Sequence, residues 1–221
     1  MMKMFLFESS VVVIGIIGGT ANLLMFLILA QSQARKNEMA IILNQITLDF
    51  LCCLLLVASY VPKMLNINYS IAIGMTLCKA LTGEALIWGF LASSTANLVV
   101  LTLERYVKIV HAVFHKKHFR PWMYLVAIVL TWTNFDFILN TVVALMSNDV
   151  SNGQCLVYAK FPAALNATAF AVYRFLMAFI VPLVTFVFCY SRILHITHRR
   201  ILPGRTSLEN TYKSSNVYVE Q

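Results

Sequence analysis

The sequence predicts an all-α membrane protein with five transmembrane helices, and three observations carry that prediction. The 221 residues are 60% hydrophobic and only 12% charged, with a mean hydropathy of +0.77. Soluble domains carry about 25% charged residues, so a soluble fold of this composition lacks the polar side chains to cover its surface. Five apolar runs are each long enough to cross a hydrocarbon core of about 30 Å, which takes about 20 helical residues. The runs are continuous and do not alternate with period two, so they read as helices and not as strands of a closed barrel.

The spans cover roughly residues 9–31, 40–63, 78–105, 122–146 and 168–195. Span one follows Lys3 and "FLF" as a signal peptide would, but it is interrupted by Asn22 and lacks a small-x-small cleavage site, so it reads as an uncleaved span. Span two holds Asn44 and Asp49 in "LNQITLDFLCCLLL"; span three holds Ser94 and ends in "LERY". Span four holds Trp132, and span five "FIVPLVTFVFCY" with Pro182. Polar groups inside a bilayer commonly serve helix packing through hydrogen bonds worth about 0.6–2 kcal/mol, which accounts for Asn22, Asn44 and Ser94. Asp49 asks for more, because an ionisable intramembrane residue is by default a functional candidate; the plainer reading is a buried, protonated acid bonded to its neighbours. The domain plan is a membrane domain over 1–200 and a polar cytosolic tail over 201–221.

Basic residues set the orientation. Arg35 and Lys36 follow span one, and Arg105, Lys108, Lys116, Lys117 and Arg120 join spans three and four. Arg192, Arg199, Arg200, Arg205 and Lys213 follow the core of span five, which makes twelve of the 17 Lys and Arg on one side. The positive-inside rule puts that side in the cytosol, with the N-terminus outside and the C-terminus cytosolic. The net charge of +8 therefore marks a membrane face and calls for no nucleic acid. Cys78 and Cys155 fall on the outer side, where oxidation permits a disulfide, while Cys52, Cys53 and Cys189 sit in apolar runs as inert thiols. The sequons at Asn68 and Asn166 also fall outside, as candidate N-glycosylation sites.

The order and spacing of these groups resemble the rhodopsin-like (class A) G-protein-coupled receptors. Asn22 resembles that family's span-one asparagine, and Asn44 with Asp49 matches its N-L-x-x-x-D element. Cys78, with Gly74 four residues before it, resembles the cysteine that opens span three, and Cys155 the cysteine of the second extracellular loop. Glu104, Arg105 and Tyr106 match the Asp/Glu-Arg-Tyr motif, and Trp132 the span-four tryptophan. Phe179, Pro182 and Tyr190 reproduce F-x-x-P with a tyrosine eight residues on. Each element alone is weak; in order, on consistent sides of the membrane, they are specific.

The resemblance implies roles. Glu104 is expected to hold the Arg105 guanidinium at the cytosolic interface at tolerable desolvation cost, until activation releases it toward a heterotrimeric G protein. Tyr106, Tyr190 and Val113 (with Phe114) belong to the same coupling region. Pro182 kinks span five by removing a backbone donor. Asp49 with Ser94 resembles the family's sodium pocket, where a hard cation takes oxygen ligands. The expected whole is a seven-helix receptor of the plasma membrane that transduces an unknown extracellular ligand by helix rearrangement.

The chain also departs from the pattern. After span five it reads "ILPGRTSLENTYKSSNVYVEQ", and no sixth or seventh apolar run follows. A partial gene model of a receptor remains open beside a non-signalling five-span fragment, retained in the endoplasmic reticulum or associating with other receptors. Cys78 to Arg105 is 27 residues, about two more than the family's usual spacing; Ile71 stands where tryptophan is common, and Ala112 replaces a proline. Amine receptors carry an aspartate two turns into span three, but counting from Cys78 reaches Ala85 and counting from Arg105 reaches Ile87. An amine ligand is disfavoured, and Glu84, Trp88, Asp136 and Arg174 are the candidate ligand contacts. Asp136 and Arg174 either pair across a helix interface, meet an anionic ligand group through Arg174, or snorkel.

No catalytic constellation appears: there is no glycine-rich phosphate loop, serine elbow or zinc-protease motif. His111, His115 and His118, and His195 with His198, lie among Lys and Arg with no carboxylate in view, and read as a basic loop facing lipid headgroups. A transporter would show inverted repeats, which the sequence lacks. The chain reads as a non-enzyme.

Overall fold

The computed structural model describes residues 2–31, 36–65, 72–151, 153–161 and 166–217, with side chains over 6–31, 39–65, 74–151, 153–161 and 166–199. Arg35, Asn68 and Ile71 lie outside these residues, as do the side chains of Lys3, Lys36, Arg200, Arg205 and Lys213. Among the described residues five helical stretches are long and apolar enough to cross a membrane: Leu6–Ala30, Met39–Met64, Gly74–Val110, Pro121–Ser147 and Ala167–Arg199. Among the described residues the fold is all-α apart from one short hairpin. By contacts the chain divides into two units, Met1–Leu101 with Arg120–Pro182, and Thr102–Phe119 with Leu183–Gln221.

In the first unit, helix α1 (Met2–Ala30) packs along α2 (Lys36–Met64). Glycine makes that closeness possible. A Cβ on Gly15 would stand 2.8 Å from the Val57 side chain, so a methyl group there would wedge the helices apart. Ile14, Ile17 and Ile28 are exposed, as lipid-facing positions of a span are.

The third span is not one helix. It comprises α3 (Ala72–Leu77), a π turn over Cys78–Thr82, and α4 (Ala85–Val110). The Gly83 N–H donates to the Cys78 carbonyl at 2.6 Å, the i→i+5 bond of a π turn, and Glu84 adopts a left-handed φ of 66° before α4 begins. An i→i+5 turn holds one residue more than an α turn, so this joint takes up one residue of the longer stretch between Cys78 and Arg105.

Helix α5 (Ala112–His118) precedes span four, which is also divided, into α6 (Pro121–Trp132) and α7 (Phe135–Ser147). Pro121 suits the first position of α6, where its missing N–H costs no bond. Asn134 interrupts the span and caps α7, accepting from the Phe137 N–H at 2.7 Å. Strands β1 (Asp149–Ser151) and β2 (Gln154–Leu156) pair antiparallel, with Val150 opposite Cys155.

Span five runs as α8 (Ala167–Phe175), a π turn over Leu176–Ile180, and α9 (Val181–Val217). The predicted kink at Pro182 takes this form because proline has no N–H to give the carbonyl four residues back, at Ala178, inside the π turn. Helix α9 continues past the apolar run to Val217.

Candidate functional site

A hydrogen-bonded chain links spans two, three and four inside the first unit. The Trp132 indole N–H donates to Asn44 Oδ1 at 2.8 Å, and Asn44 Nδ2 donates to Asn97 Oδ1 at 2.8 Å. Asn97 Nδ2 in turn donates to Gln45 Oε1 at 2.8 Å and to the Ile41 carbonyl at 3.3 Å. Gln45 Nε2 then donates to Asp49 Oδ1 and Oδ2 at 3.0 and 3.1 Å and to Ser94 Oγ at 2.8 Å. Ser94 completes the set by donating to Asp49 Oδ1 at 2.5 Å. Asn97 is fully buried and Gln45 nearly so, so each amide needs the partners it has.

The sequence named Asn44, Asp49, Ser94 and Trp132 but neither Gln45 nor Asn97, which complete the path. Asn22 stands apart from it, donating to the Gly18 carbonyl of its own helix at 3.0 Å. The sodium expected beside Asp49 and Ser94 needs oxygen ligands turned toward a common point. That point is occupied by Gln45 Nε2, a hydrogen-bond donor without a lone pair, so the donor set does not fit the ion.

Spans three, four and five enclose a cavity of about 560 Å³, walled by α4, α7, α8, the second π turn and the start of α9. Trp88, Asp136, Asn140 and Arg174 line it, among mostly apolar neighbours. The Arg174 guanidinium stacks 3.8 Å from the Trp88 ring centroid and donates to the Tyr158 hydroxyl at 3.1 Å. Asp136, in the first turn of α7, accepts from the Tyr173 hydroxyl. The pairing of Asp136 with Arg174, one of the readings left open above, is therefore not what forms: each takes a tyrosine instead, and no described carboxylate pairs with Arg174.

Glu84, a candidate ligand contact, is already engaged. It accepts from Lys63 Nζ at 2.7 Å and from the Tyr60 hydroxyl at 3.0 Å, across from span two and outside the cavity lining. Glu84 has a left-handed backbone and bonds to the Tyr60 and Lys63 side chains of α2.

Above this joint, Cys78 and Cys155 form a disulfide with Cα atoms 5.4 Å apart. Asn148 sits beside it, fully enclosed, donating to the carbonyls of Gly83 at 2.9 Å and Lys79 at 3.3 Å and accepting from the Tyr158 N–H at 3.0 Å. The hairpin is thus tied to the π turn covalently and through one amide. Outside the membrane, Lys160 donates to Asp149 Oδ2 at 2.7 Å. That bond, followed by the Val150 N–H, holds the Asp149 carboxyl below its ordinary value, and the carboxylate raises Lys160 in return. Asn166 caps α8 with its side-chain oxygen, accepting from the Thr168 N–H at 2.9 Å.

The Glu-Arg-Tyr motif lies in the second unit. Glu104 is buried and Arg105 exposed, and the two do not form the expected tether. Successive helix positions point about 100° apart, so adjacent side chains do not face one another. Glu104 instead faces His115, whose Nε2 lies 3.4 Å from Oε1, in ion-pair range though not aligned as a hydrogen bond. The expectation of histidines without a carboxylate is corrected by the same contact. Tyr106 packs against His111 and Phe188, with ring centroids 5.9 and 5.8 Å apart. Val113, 83% exposed, and Tyr190, 48% exposed, present their side chains outward.

Comparison with known proteins agrees with this pattern. Residues 21–217 match the family model of the 7 transmembrane receptor (rhodopsin family). The chain is 24% identical to the C-C chemokine receptor 1-like protein 1 of Mus musculus, over 87% of this chain and 53% of that receptor. It is 27% identical to the C5a anaphylatoxin chemotactic receptor 1 of Oncorhynchus mykiss, over 80% and 50%. Identity to the C-C chemokine receptor type 1 of Homo sapiens is 25%, over 87% and 53%. The chain spans about half the length of these curated relatives. With five apolar helices, a disulfide joining span three to the hairpin after span four, and a family match across nearly all its length, the chain is a multi-pass membrane protein of the rhodopsin family of seven-transmembrane receptors, a family of receptors and not of enzymes.

Proposed function

We propose that the chain serves as the ligand-receiving part of a plasma-membrane receptor for an extracellular peptide, signalling to a heterotrimeric G protein. The observation that carries the ligand reading is Arg174. It lines a largely apolar cavity, lies over the Trp88 ring, and has no described carboxylate partner, as a residue reserved for an anionic group on a ligand would. An apolar cavity with one oriented cation suits a peptide end or side chain bearing a carboxylate beside hydrophobic residues. The relatives named as chemokine and C5a anaphylatoxin receptors support a peptide over a small amine. The coupling reading rests on Arg105, Tyr106, Tyr190 and the outward Val113, in the second unit.

The test uses cells expressing the receptor, screened with chemoattractant peptides that carry a carboxylate and with the same peptides as neutral amides. Active carboxylates, with Arg174→Ala lowering potency about tenfold or more and Arg174→Lys less, support the ligand reading. Equal potency of acid and amide forms sinks it. In the same cells Arg105→Ala is expected to abolish or distort G-protein activation while leaving peptide binding in place; unchanged coupling removes Arg105 from the role proposed. Absence of any signal from the 221-residue form, with binding intact, would favour the fragment reading.

A further inference from the structure

We infer that Gln45 is a built-in substitute for a cation: its side-chain amide does for Asp49 and Ser94 what a bound sodium ion would otherwise do. Gln45 Nε2 lies 3.0, 3.1 and 2.8 Å from Asp49 Oδ1, Asp49 Oδ2 and Ser94 Oγ, so one donor nitrogen sits at the shared focus of three oxygens. It brings partial positive charge to that focus through its N–H groups, and it is tethered to α2 one helical turn from the carboxylate it serves.

The amide's orientation follows from chemistry and not from choice. An indole N–H can only donate, so Trp132 requires Asn44 to present its oxygen, which turns Asn44 Nδ2 toward Asn97. The Ile41 carbonyl can only accept, so Asn97 presents Nδ2 on that side, and the same nitrogen reaches Gln45 Oε1. Gln45 Nε2 is left facing the carboxylate. Flipping any one amide would set oxygen against oxygen, or N–H against N–H, at two contacts in a buried chain. Trp132 and Asp49 thus fix the direction of every bond between them, and the donor end points at Asp49. The consequence is that satisfaction of Asp49 does not depend on the salt outside the cell.

The experiment is thermal unfolding of the full chain in detergent, in sodium chloride and in choline chloride at equal ionic strength. The wild-type chain is expected to unfold at the same temperature in both. Gln45→Leu removes the donor, and Gln45→Glu replaces it with an acceptor beside Asp49. Each is expected to unfold lower in choline and to gain about 3 °C or more in sodium. A sodium-specific rise in the wild-type chain overturns the inference. So do substituted chains that fold and remain as indifferent to sodium as the parent. If neither variant folds, the wild-type comparison decides alone.

Discussion

Asn148 carries three bonds from one buried amide, and no apolar side chain can replace them. Asn148→Ala is expected to cost about 1–3 kcal/mol, because the carbonyl of Gly83 and the N–H of Tyr158 lose their partner out of reach of water. Thermal unfolding of the purified chain would read it, and a fall under half a kilocalorie would mean water replaces the amide. Gly83→Ala is expected to be worse, since its Cβ would fall 2.0 Å from Asn148 Nδ2. At Asn166 two roles separate cleanly. Thr168→Ala destroys the sequon and keeps the cap, whereas Asn166→Asp destroys the sequon and keeps a capping oxygen. If the site is glycosylated, both variants lose the same mass on a gel and neither loses stability. Residue by residue, sequence revealed ionisable or motif-bearing groups such as Asp49 and Arg105. It missed Gln45 and Asn97 because a lone amide in an apolar run has no spacing that announces its partner. Glu104 and Arg105 misled for the opposite reason: adjacency in the chain is not adjacency on a helix.

Elements were legible where hydropathy alone defines them and illegible where a helix changes its winding. The five runs were found because a bilayer demands unbroken apolar length. The π turns and the break at Asn134 leave hydropathy unchanged, so the spans read as single rods. Only the mismatch between counting from Cys78 and from Arg105 hinted at the joint. The tie between spans two and four is testable through Trp132→Phe, which keeps an aromatic ring, though a smaller one, and leaves Asn44 Oδ1 without its indole donor. A loss of about 0.6–2 kcal/mol is expected, restored in part by no aliphatic residue. The hairpin has its own pH response. Asp149 is held below its ordinary value, so its contribution is present above that value and lost as pH falls through the lowered one. Lys160 is raised, so its contribution is present below the ordinary lysine value and lost as pH rises through the higher one. Protection of the Lys160 amide, which donates to the Ser147 carbonyl, should fall relative to its intrinsic exchange rate at both extremes and in high salt, because the pair is exposed.

At the scale of the molecule, the charge asymmetry predicts topology. A tag before Met1 is expected to be stained on intact cells, and one after Gln221 only after permeabilisation; the reverse result would overturn the orientation. Family membership was readable because its marks are spread along the chain and ordered, so no single departure erases them. The ligand's nature was not, because it depends on which side chains converge from three spans and which, like Glu84, are already taken. The joint between Cys78 and Ala85 has a last consequence, for anyone who would transplant part of this chain into a relative. Span three carries two reading frames, one counted downward from the disulfide and one upward from Arg105, and they change over between Thr82 and Ala85. A graft cut inside α4 keeps the lower frame and should be accepted wherever the partner's Asp/Glu-Arg-Tyr is aligned. A graft that crosses the joint must carry the whole turn with it, or every side chain below would be rotated away from the neighbours it was selected to meet.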